Sequence, residues 1–339
     1  MTTAGATSGR TARTARTART ARTARTARTA RKAQKDRTPR APRTGRTGRE
    51  GRARWALPLF LGPSVLLIAV FVIAPAGYGL YLALTNTQLT GFAARDPQFV
   101  GLDNFRTLLG SGDFLSSLGR TGQFVFWSAI VGQTVLGMLA ALLLRQKWLR
   151  GKGVFGALVL LPMVVPEVVA SLTWASVLSS DEDGTFNRLL ALFGGGAAAP
   201  LQDSPMTSIV VINVWRGIAF AMIMFQAALE GVPDELIEAA RMDGARAHQV
   251  FRHITLPLIR GPVFLYLLLT TITTVGVFGL VYFLTQGGPG HQTELASVYI
   301  FQRAFQYSQI GLGSAASVIL LVLLTILGVT YARLAKVEV

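Results

Sequence analysis

An all-α polytopic membrane protein with six transmembrane helices is the fold class that the sequence predicts. Of the 339 residues, 51% are hydrophobic and 15% are charged, which is far more apolar than a soluble domain of this size. Six apolar runs are long enough to cross a bilayer, and none alternates apolar and polar residues as barrel strands do. Helices are expected because backbone groups in lipid must bond within their own segment.

The six runs fix the predicted order of spans along the chain. Each approaches or exceeds the roughly 20 residues that a helix needs to cross the hydrocarbon core. They cover residues 57–84, 124–144, 154–178, 208–229, 263–284 and 313–331. The third run contains Pro162 and Pro166, which interrupt a helix and free backbone carbonyls.

The formal net charge of +16 comes almost entirely from the N-terminal tail. Residues 1–54 hold 17 of the 33 Lys and Arg residues against two acidic ones, and the remainder carries a net charge of +1. Seven consecutive Thr-Ala-Arg triplets fill residues 11–31, a period that suits neither a helix face nor a strand face. We expect a disordered basic tail that binds no nucleic acid. It either is attracted to anionic lipid headgroups or only biases topology.

Loop charges predict the orientation of the spans. With the tail inside, 27 Lys and Arg residues lie on the cytoplasmic side and five lie in the outer loops. The sequence therefore predicts a multi-pass protein of the cell membrane (plasma or inner membrane) with both termini in the cytoplasm. Zero cysteines exclude disulfides, thiolate metal sites and cysteine nucleophiles.

A polar segment with helix signals separates the fourth and fifth runs. Pro233 suits the first helical position, and Asp234 and Glu235 suit a first turn, where the helix dipole favours anions. Gly244 suits a left-handed stop, after which a second helical stretch is expected over residues 245–254. A structured hairpin between spans indicates a partner that acts on it.

Residues of this hairpin, read together, resemble the EAA signature of ATP-binding-cassette importer permeases. The matching residues are Glu238, Ala239, Ala240, Asp243, Gly244, Ile254, Leu256 and Pro257. Four further stretches, at residues 99–109, 161–174, 281–305 and 311–320, resemble the carbohydrate branch of these permeases, which includes maltose and glycerol-3-phosphate permeases. The departures are the repetitive tail, six spans instead of the eight of the maltose subunit, and no large inserted outer domain.

The resemblance implies a type I importer permease fold whose hairpin docks into a cleft on an ATPase subunit. It divides the chain into a disordered basic cytoplasmic tail (1–54), a first helix with an outer segment (55–120) and a permease domain (121–335) that holds the EAA loop (231–261). The residues expected to couple to the ATPase are Glu238, Ala239, Ala240, Asp243, Gly244, Leu256 and Pro257.

The partners follow from the same resemblance. No nucleotide-binding loop of the GxxxxGK[ST] type and no paired-histidine metal motif occur in the sequence, so the chain is expected to be a transport subunit without cofactor or metal rather than an enzyme. The expected partners are a second homologous permease, two ATP-binding-cassette ATPase subunits, an extracellular or periplasmic solute-binding protein, a sugar substrate and the lipid bilayer.

Polar residues at membrane depth are the candidates for the substrate path. Glu167 either lines the path or caps a re-entrant segment. Asn213, Gly217 and Phe220 lie at i, i+4 and i+7 and so share one helix face, and the maltose-type permease resembles this chain in Asn and Gly at that offset. Arg216 is expected to extend toward the outer interface from the start of its span.

The fifth run offers a second helix face that could contact the substrate. Thr270, Thr274 and Phe278 share a face, although threonines in membrane helices also bond their own backbone or a neighbouring helix. The small residues that open the last run, from Gly311 to Ser317, favour close helix packing.

The sequence therefore predicts the permease subunit of an ATP-driven, binding-protein-dependent importer of a sugar or related polyol that works by alternating access. An importer permease for a non-sugar solute and an ion-coupled carrier are the alternatives. An ion-coupled carrier would want paired intramembrane carboxylates, and Glu167 alone gives it little support.

Overall fold

The computed structural model describes residues 61–146, 148–181 and 184–335, with side chains up to residue 333. The predicted tail, residues 1–54, lies outside the described residues. The chain divides into two compact units at Ala69 and Val70, and all contacts discussed below lie within the second. The described residues form helices and turns, apart from one isolated β-bridge between Thr85 and Phe99.

The helices are numbered in chain order. They are α1 (Leu61–Ala83), α2 (Phe92–Arg95), α3 (Asp103–Gly110), α4 (Gly112–Arg145), α5 (Lys152–Val164), α6 (Glu167–Val177), α7 (Thr185–Leu192), α8 (Pro200–Asp203), α9 (Pro205–Glu230), α10 (Asp234–Met242), α11 (Ala247–Leu258), α12 (Arg260–Val275), α13 (Gly279–Thr285), α14 (Ala296–Phe301) and α15 (Ile310–Ala335). Within α4, residues Phe126–Gln133 form π-helix, as do Phe251–Thr255 within α11.

Four of the described helices are individually long and apolar enough to cross a membrane: α1, α4, α9 and α15. Two further pairs meet the same test together but are bent, α5 with α6 by 101° and α11 with α12 by 73°. The described chain therefore has four candidate spans, or up to six if each bent pair counts as one. The all-helical membrane fold is confirmed, and the number six stays a prediction.

The bend between α5 and α6 has its cause in the sequence. Pro166 immediately precedes α6, and Val165 adopts the extended backbone that a residue before proline prefers. Pro162 lies inside α5. The expected proline interruption of the third run is thus present.

The predicted fifth run, residues 263–284, is wrong as a single helix. Helix α12 ends at Val275, and Gly276, Val277 and Phe278 separate it from α13, which begins at Gly279. The Ser297 hydroxyl donates to the Val277 carbonyl at 2.6 Å, which satisfies a backbone group that the break exposes. Hydropathy did not indicate this break because the residues on both sides are apolar.

Helices α4 and α9 form the centre of the compact unit. One buried cluster, which includes Phe124, Ile209, Ile212 and Leu280, joins them to α13. A second cluster joins the other halves of the same helices to the residues around α10 and α12, and its members are Met138, Ala141, Ala221, Phe225, Leu229, Val232, Ile259 and Tyr266. The two clusters fix both ends of α9 in place.

The start of α15 is a packing face, as expected from its small residues. Ala315 and Ala316 are fully buried against a cluster that contains Ala83, Phe114 and Tyr299. Close helix approach through small side chains is the usual way that membrane helices associate.

Candidate functional site

The polar hairpin between α9 and α12 folds as two short helices, α10 and α11. Asp234 and Glu235 occupy the first turn of α10 and Arg241 its last turn, which suits the helix dipole at both ends. Pro233 precedes the helix as its N-cap residue, one position earlier than expected. The second helix begins at Ala247, two residues later than expected, and continues to Leu258.

Gly244 ends α10 in the left-handed conformation that the sequence predicted. Its φ is +81°, and its N–H donates to the Arg241 carbonyl at 3.0 Å. The Ala245 N–H donates to the Ala240 carbonyl at 2.9 Å. These two bonds form a Schellman motif, which satisfies the last carbonyls of the helix and turns the chain sharply into α11.

The predicted coupling residues lie at or near the surface of this hairpin. Six are exposed, namely Glu238, Ala239, Asp243, Gly244, Leu256 and Pro257, and Ala240 is half-buried. Met242, which sequence reasoning did not select, is 88% exposed, and Leu236 is 46% exposed. Apolar side chains held in the open next to exposed carboxylates are typical of a surface that meets another protein.

The hairpin is tied to the end of α4. Arg145 donates from Nη2 to Asp234 Oδ1 at 2.8 Å and to the Val232 carbonyl at 3.2 Å. Val232 and Ile259, which flank the hairpin, are 4% and 2% exposed. A cavity of about 500 Å³ lies between α10, α11 and the α4 terminus, and its walls include Trp148, Glu238 and Phe251. The hairpin is thus held at its base and open along its outer edge.

A buried polar network joins three helices beside the α9 face that was predicted to contact substrate. Gln133 donates from Nε2 to the Asn213 carbonyl at 3.0 Å and accepts a bond from the Thr270 hydroxyl at 2.9 Å. The Asn213 side-chain amide donates to the Ser128 hydroxyl at 2.9 Å. Gln133, Asn213 and Thr270 are each at most 5% exposed. The network holds α4, α9 and α12 in one register.

The structure thus brings Asn213, Gly217 and Thr270 together around Gln133. Gly217 lies against the Gln133 side chain, so closely that a Cβ atom there would overlap the carboxamide. Phe220 lies one turn further along α9 and packs against Tyr266 of α12, with ring centroids 5.8 Å apart. Thr274 is buried one turn beyond Thr270.

Glu167 and Phe278 lie elsewhere, each near the start of α13. The Glu167 carboxylate follows the bend of the third run and accepts a bond from the Leu280 N–H at 2.7 Å. Phe278 precedes α13 and stacks on Tyr282, with ring centroids 5.0 Å apart. It also contacts the Phe301 ring at 4.8 Å between centroids, with the two rings tilted by 43°. The Glu167 carboxylate thus lies at the N-terminus of α13, and the path-lining and capping roles expected for it in the third run stay predictions.

Sequence reasoning missed Gln133 and Ser128, although a signal was available. Both interrupt the apolar run 124–144, and a polar side chain in such a run usually bonds to a neighbouring helix. It also misplaced Arg216. The side chain lies mid-way along α9 rather than at its start, because α9 begins at Pro205 and continues to Glu230.

Comparison with known proteins identifies the family of this chain. Residues 133–337 match the family described as "Binding-protein-dependent transport system inner membrane component". A trehalose/maltose transport system permease, MalF of Thermococcus litoralis, is 33% identical over 280 residues, which cover 82% of this chain and 92% of the relative. An sn-glycerol-3-phosphate transport system permease, UgpA of Escherichia coli, is 32% identical over 290 residues, which cover 85% and 96%.

Solved structures with the same fold come from transporters. The chain matches a subunit of a bacterial alginate ABC transporter, solved with an alginate pentasaccharide-bound periplasmic protein, with a TM-score of 0.70 and 22% identity. The match covers 84% of this chain and 95% of that one. At this identity the comparison shows a shared fold. Together with the family match, it shows that this chain belongs to the binding-protein-dependent transport system inner membrane components and is a permease subunit of an ATP-binding-cassette importer.

Proposed function

We propose that the chain imports a sugar or a related polyol by alternating access and that the hairpin receives the motion of partner ATPases. The observation that supports this most is the hairpin itself. Its base packs through the buried Val232 and Ile259 and is linked to α4 by the Arg145–Asp234 pair. Its exposed edge carries Glu238, Asp243 and Met242. A rigid base with an open edge suits transmission of force from a docked subunit.

The proposed partners are those of a complete importer. A second homologous permease forms the other half of the path, two ATPase subunits bind the hairpins, and a solute-binding protein delivers the substrate. The 27 Lys and Arg residues on the predicted inner side, against five in the outer loops, support a cytoplasmic position for the tail, the hairpin and the C-terminus. The permease domain in this proposal covers residues 121–335, with its EAA loop at 231–261.

The substrate proposal rests on the relatives. MalF of T. litoralis serves trehalose and maltose, and UgpA serves sn-glycerol 3-phosphate. The proposed path is the face around Asn213, Gly217 and Phe220 of α9, together with Thr270 and Thr274 of α12. Glu167 and Phe278 lie at one end of it, beside α13. In this proposal, rearrangement of the buried Gln133 network opens the polar groups to the substrate.

Two alternatives make different predictions. A permease for a non-sugar solute would assemble with the same partners but would transport no sugar. An ion-coupled carrier would need an intramembrane carboxylate that is free to exchange ions, whereas the Glu167 carboxylate accepts a backbone hydrogen bond. Support for the carrier is therefore weak.

Reconstitution of the complete transporter into liposomes tests the proposal. The chain alone should show no ATP hydrolysis, and the assembly with companion permease, ATPases and binding protein should accumulate labelled sugar only with ATP. Uptake driven by an ion gradient without ATP, or hydrolysis by the isolated chain, would contradict it. A panel of sugars, polyols and amino acids offered to the binding protein separates the sugar importer from one for another solute.

A further inference from the structure

Arg216 is a cation at the middle of a membrane-spanning helix. With a rise of about 1.5 Å per residue, it lies about 17 Å along α9 from Pro205 and about 21 Å from Glu230. Arginines close to a helix end reach the interface with their long side chains, but this position is remote from both ends. A charge at this depth is costly and usually faces a path or a partner.

The Arg216 guanidinium lacks a counter-ion within the described part of the chain. Its Nε atom is buried without a hydrogen-bond partner, and no carboxylate of the described residues forms an ion pair with it. Glu167, the acidic residue in the bent third span, bonds to the Leu280 N–H instead. Leaving a buried donor of a charged group unpaired is costly in free energy. An anion bound at this site would supply the missing acceptor.

The position of Arg216 on α9 relates it to the proposed substrate path. At about 100° per residue, Asn213, Arg216, Gly217 and Phe220 fall within an arc of about 100° on the helix surface. Arg216 lies at one edge of this arc, and its side chain is half-buried rather than enclosed. A substrate that passes along this face would meet the guanidinium at mid-membrane.

We propose that Arg216 binds a carboxylate or phosphate of the transported sugar, so that the importer handles an anionic carbohydrate rather than a neutral one. The guanidinium offers a planar set of donors that matches either group bidentately. This inference rests on the proposed function and adds the charge of its substrate. Loss of a charge-assisted hydrogen bond at such a site lowers the import rate of the anionic substrate and leaves the import rate of a neutral one nearly unchanged.

The test uses the assembled transporter in liposomes with matched pairs of labelled probes. One pair is a hexose phosphate and its hexose, and the other is a uronic acid trisaccharide and a neutral trisaccharide. The wild type should import at least one anionic probe about 10-fold or more faster than its neutral partner. Arg216→Gln should abolish that preference, and Arg216→Lys should restore part of it because the charge returns without the bidentate geometry. If the preference is seen with the hexose phosphate pair, the ligand of Arg216 is a phosphate, and if it is seen with the uronic acid pair, the ligand is a carboxylate.

Controls separate this inference from simpler explanations. Arg106→Gln removes an exposed arginine that pairs with Asp103 and should leave the preference unchanged. Co-purification of the companion permease with Arg216→Gln should equal that of the wild type, and its loss would show that Arg216 pairs with a carboxylate of the companion, which overturns the inference. Preferential import of neutral probes by the wild type, or equal effects of Arg216→Gln on both members of a pair, also overturns it. Failure to import any sugar would instead overturn the proposed function.

Discussion

The side-chain amide of Gln133 occupies the space that a Cβ atom on Gly217 would need. Gln133 is 4% exposed and bonds to the Asn213 carbonyl and the Thr270 hydroxyl. A glycine on α9 is thus what allows a glutamine on α4 to link three helices. Gly217 was predicted from the sequence to line the substrate path, whereas Gln133 was not.

Replacing Gly217 by Ala should destabilise the helix bundle. The new methyl group displaces the Gln133 amide and breaks its two bonds, and overpacking of this kind typically costs about 1–3 kcal/mol. Thermal denaturation of the detergent-purified protein measures the effect. Gly122→Ala on α4 is the matched control, because a Cβ atom there meets nothing within 4 Å. If the clash is the cause, adding Gln133→Ala to Gly217→Ala should recover part of the lost stability, and an additive further loss would contradict it.

Replacing Gly244 by Val should uncouple ATP hydrolysis from uptake without loss of assembly. A β-branched residue at φ +81° costs on the order of 1 kcal/mol or more, so the turn between α10 and α11 should shift. Substrate-stimulated ATP hydrolysis and uptake by the assembled transporter measure the coupling. Gly261→Ala, where the added methyl group has open space, should behave as the wild type, and Gly244→Asn should fall between them.

Glu238→Lys should produce the same uncoupling through charge rather than backbone shape. Glu238 is exposed on α10, so reversal of its charge alters the docking surface and leaves the buried clusters intact. The variant should reach the membrane and retain its companion permease. Normal uptake kinetics in both Glu238→Lys and Gly244→Val would show that the hairpin is only a connecting loop.

Charge reversal should reveal the link between Arg145 and Asp234. The Arg145 side chain is 28% exposed and that of Asp234 66%, so the pair adds at most about 1 kcal/mol to stability. Arg145→Glu should nevertheless lower substrate-stimulated ATP hydrolysis several-fold, because it also removes the bond to the Val232 carbonyl. Arg145→Glu with Asp234→Arg should recover hydrolysis in part. No recovery in the double variant would mean that the ion pair does not position the hairpin.

Loss of the Glu167 carboxylate should weaken the start of α13. Glu167→Ala leaves the Leu280 N–H without its acceptor, which we expect to cost about 1–3 kcal/mol in thermal denaturation. Glu167→Gln keeps an oxygen acceptor and should retain most of the stability. If Glu167→Gln instead abolishes uptake while stability stays unchanged, the carboxylate has a role in the path beyond capping.

Deletion of residues 1–48 should leave assembly and uptake largely intact. Arg52 and Arg54 still flank the first predicted span, and they keep its orientation by the positive-inside rule. Accessibility labelling of the C-terminus and uptake by the assembled transporter provide the measurement. Reversed insertion would show that the Thr-Ala-Arg triplets determine topology.

Local signals predicted the hairpin well. The dipole-matched charges at Asp234 and Glu235 and the left-handed Gly244 depend on neighbours in sequence, and the structure has both. The same holds for the bend at Pro166. Boundaries were less accurate, because α4 extends to Gly112 through turns that carry polar residues.

Features that depend on distant residues could not be predicted from the sequence. The break after Val275 is held by Ser297 and Glu167, which lie far away in the chain. The spacing of Asn213 and Gly217 predicted that they share one face of α9. Only the packing of α4 against α9 shows that the Gln133 side chain covers that face. Likewise, the predicted fourth run begins three residues after the start of α9, which put Arg216 closer to the interface than it lies.

Helix α4 links the hairpin to the start of α14 as a single continuous element. At one end Arg145 holds Asp234, and near the other the Thr121 hydroxyl accepts a bond from the Ala296 N–H at 2.8 Å. Its 34 residues extend about 51 Å at about 1.5 Å per residue. In the proposed mechanism a displacement of the hairpin is applied to α4 at Arg145, and the start of α14 is bound about 36 Å away along the same helix, at Thr121. In the proposed mechanism the stiffness of α4, including that of its π-helical stretch Phe126–Gln133, limits how much of the hairpin's displacement reaches the start of α14.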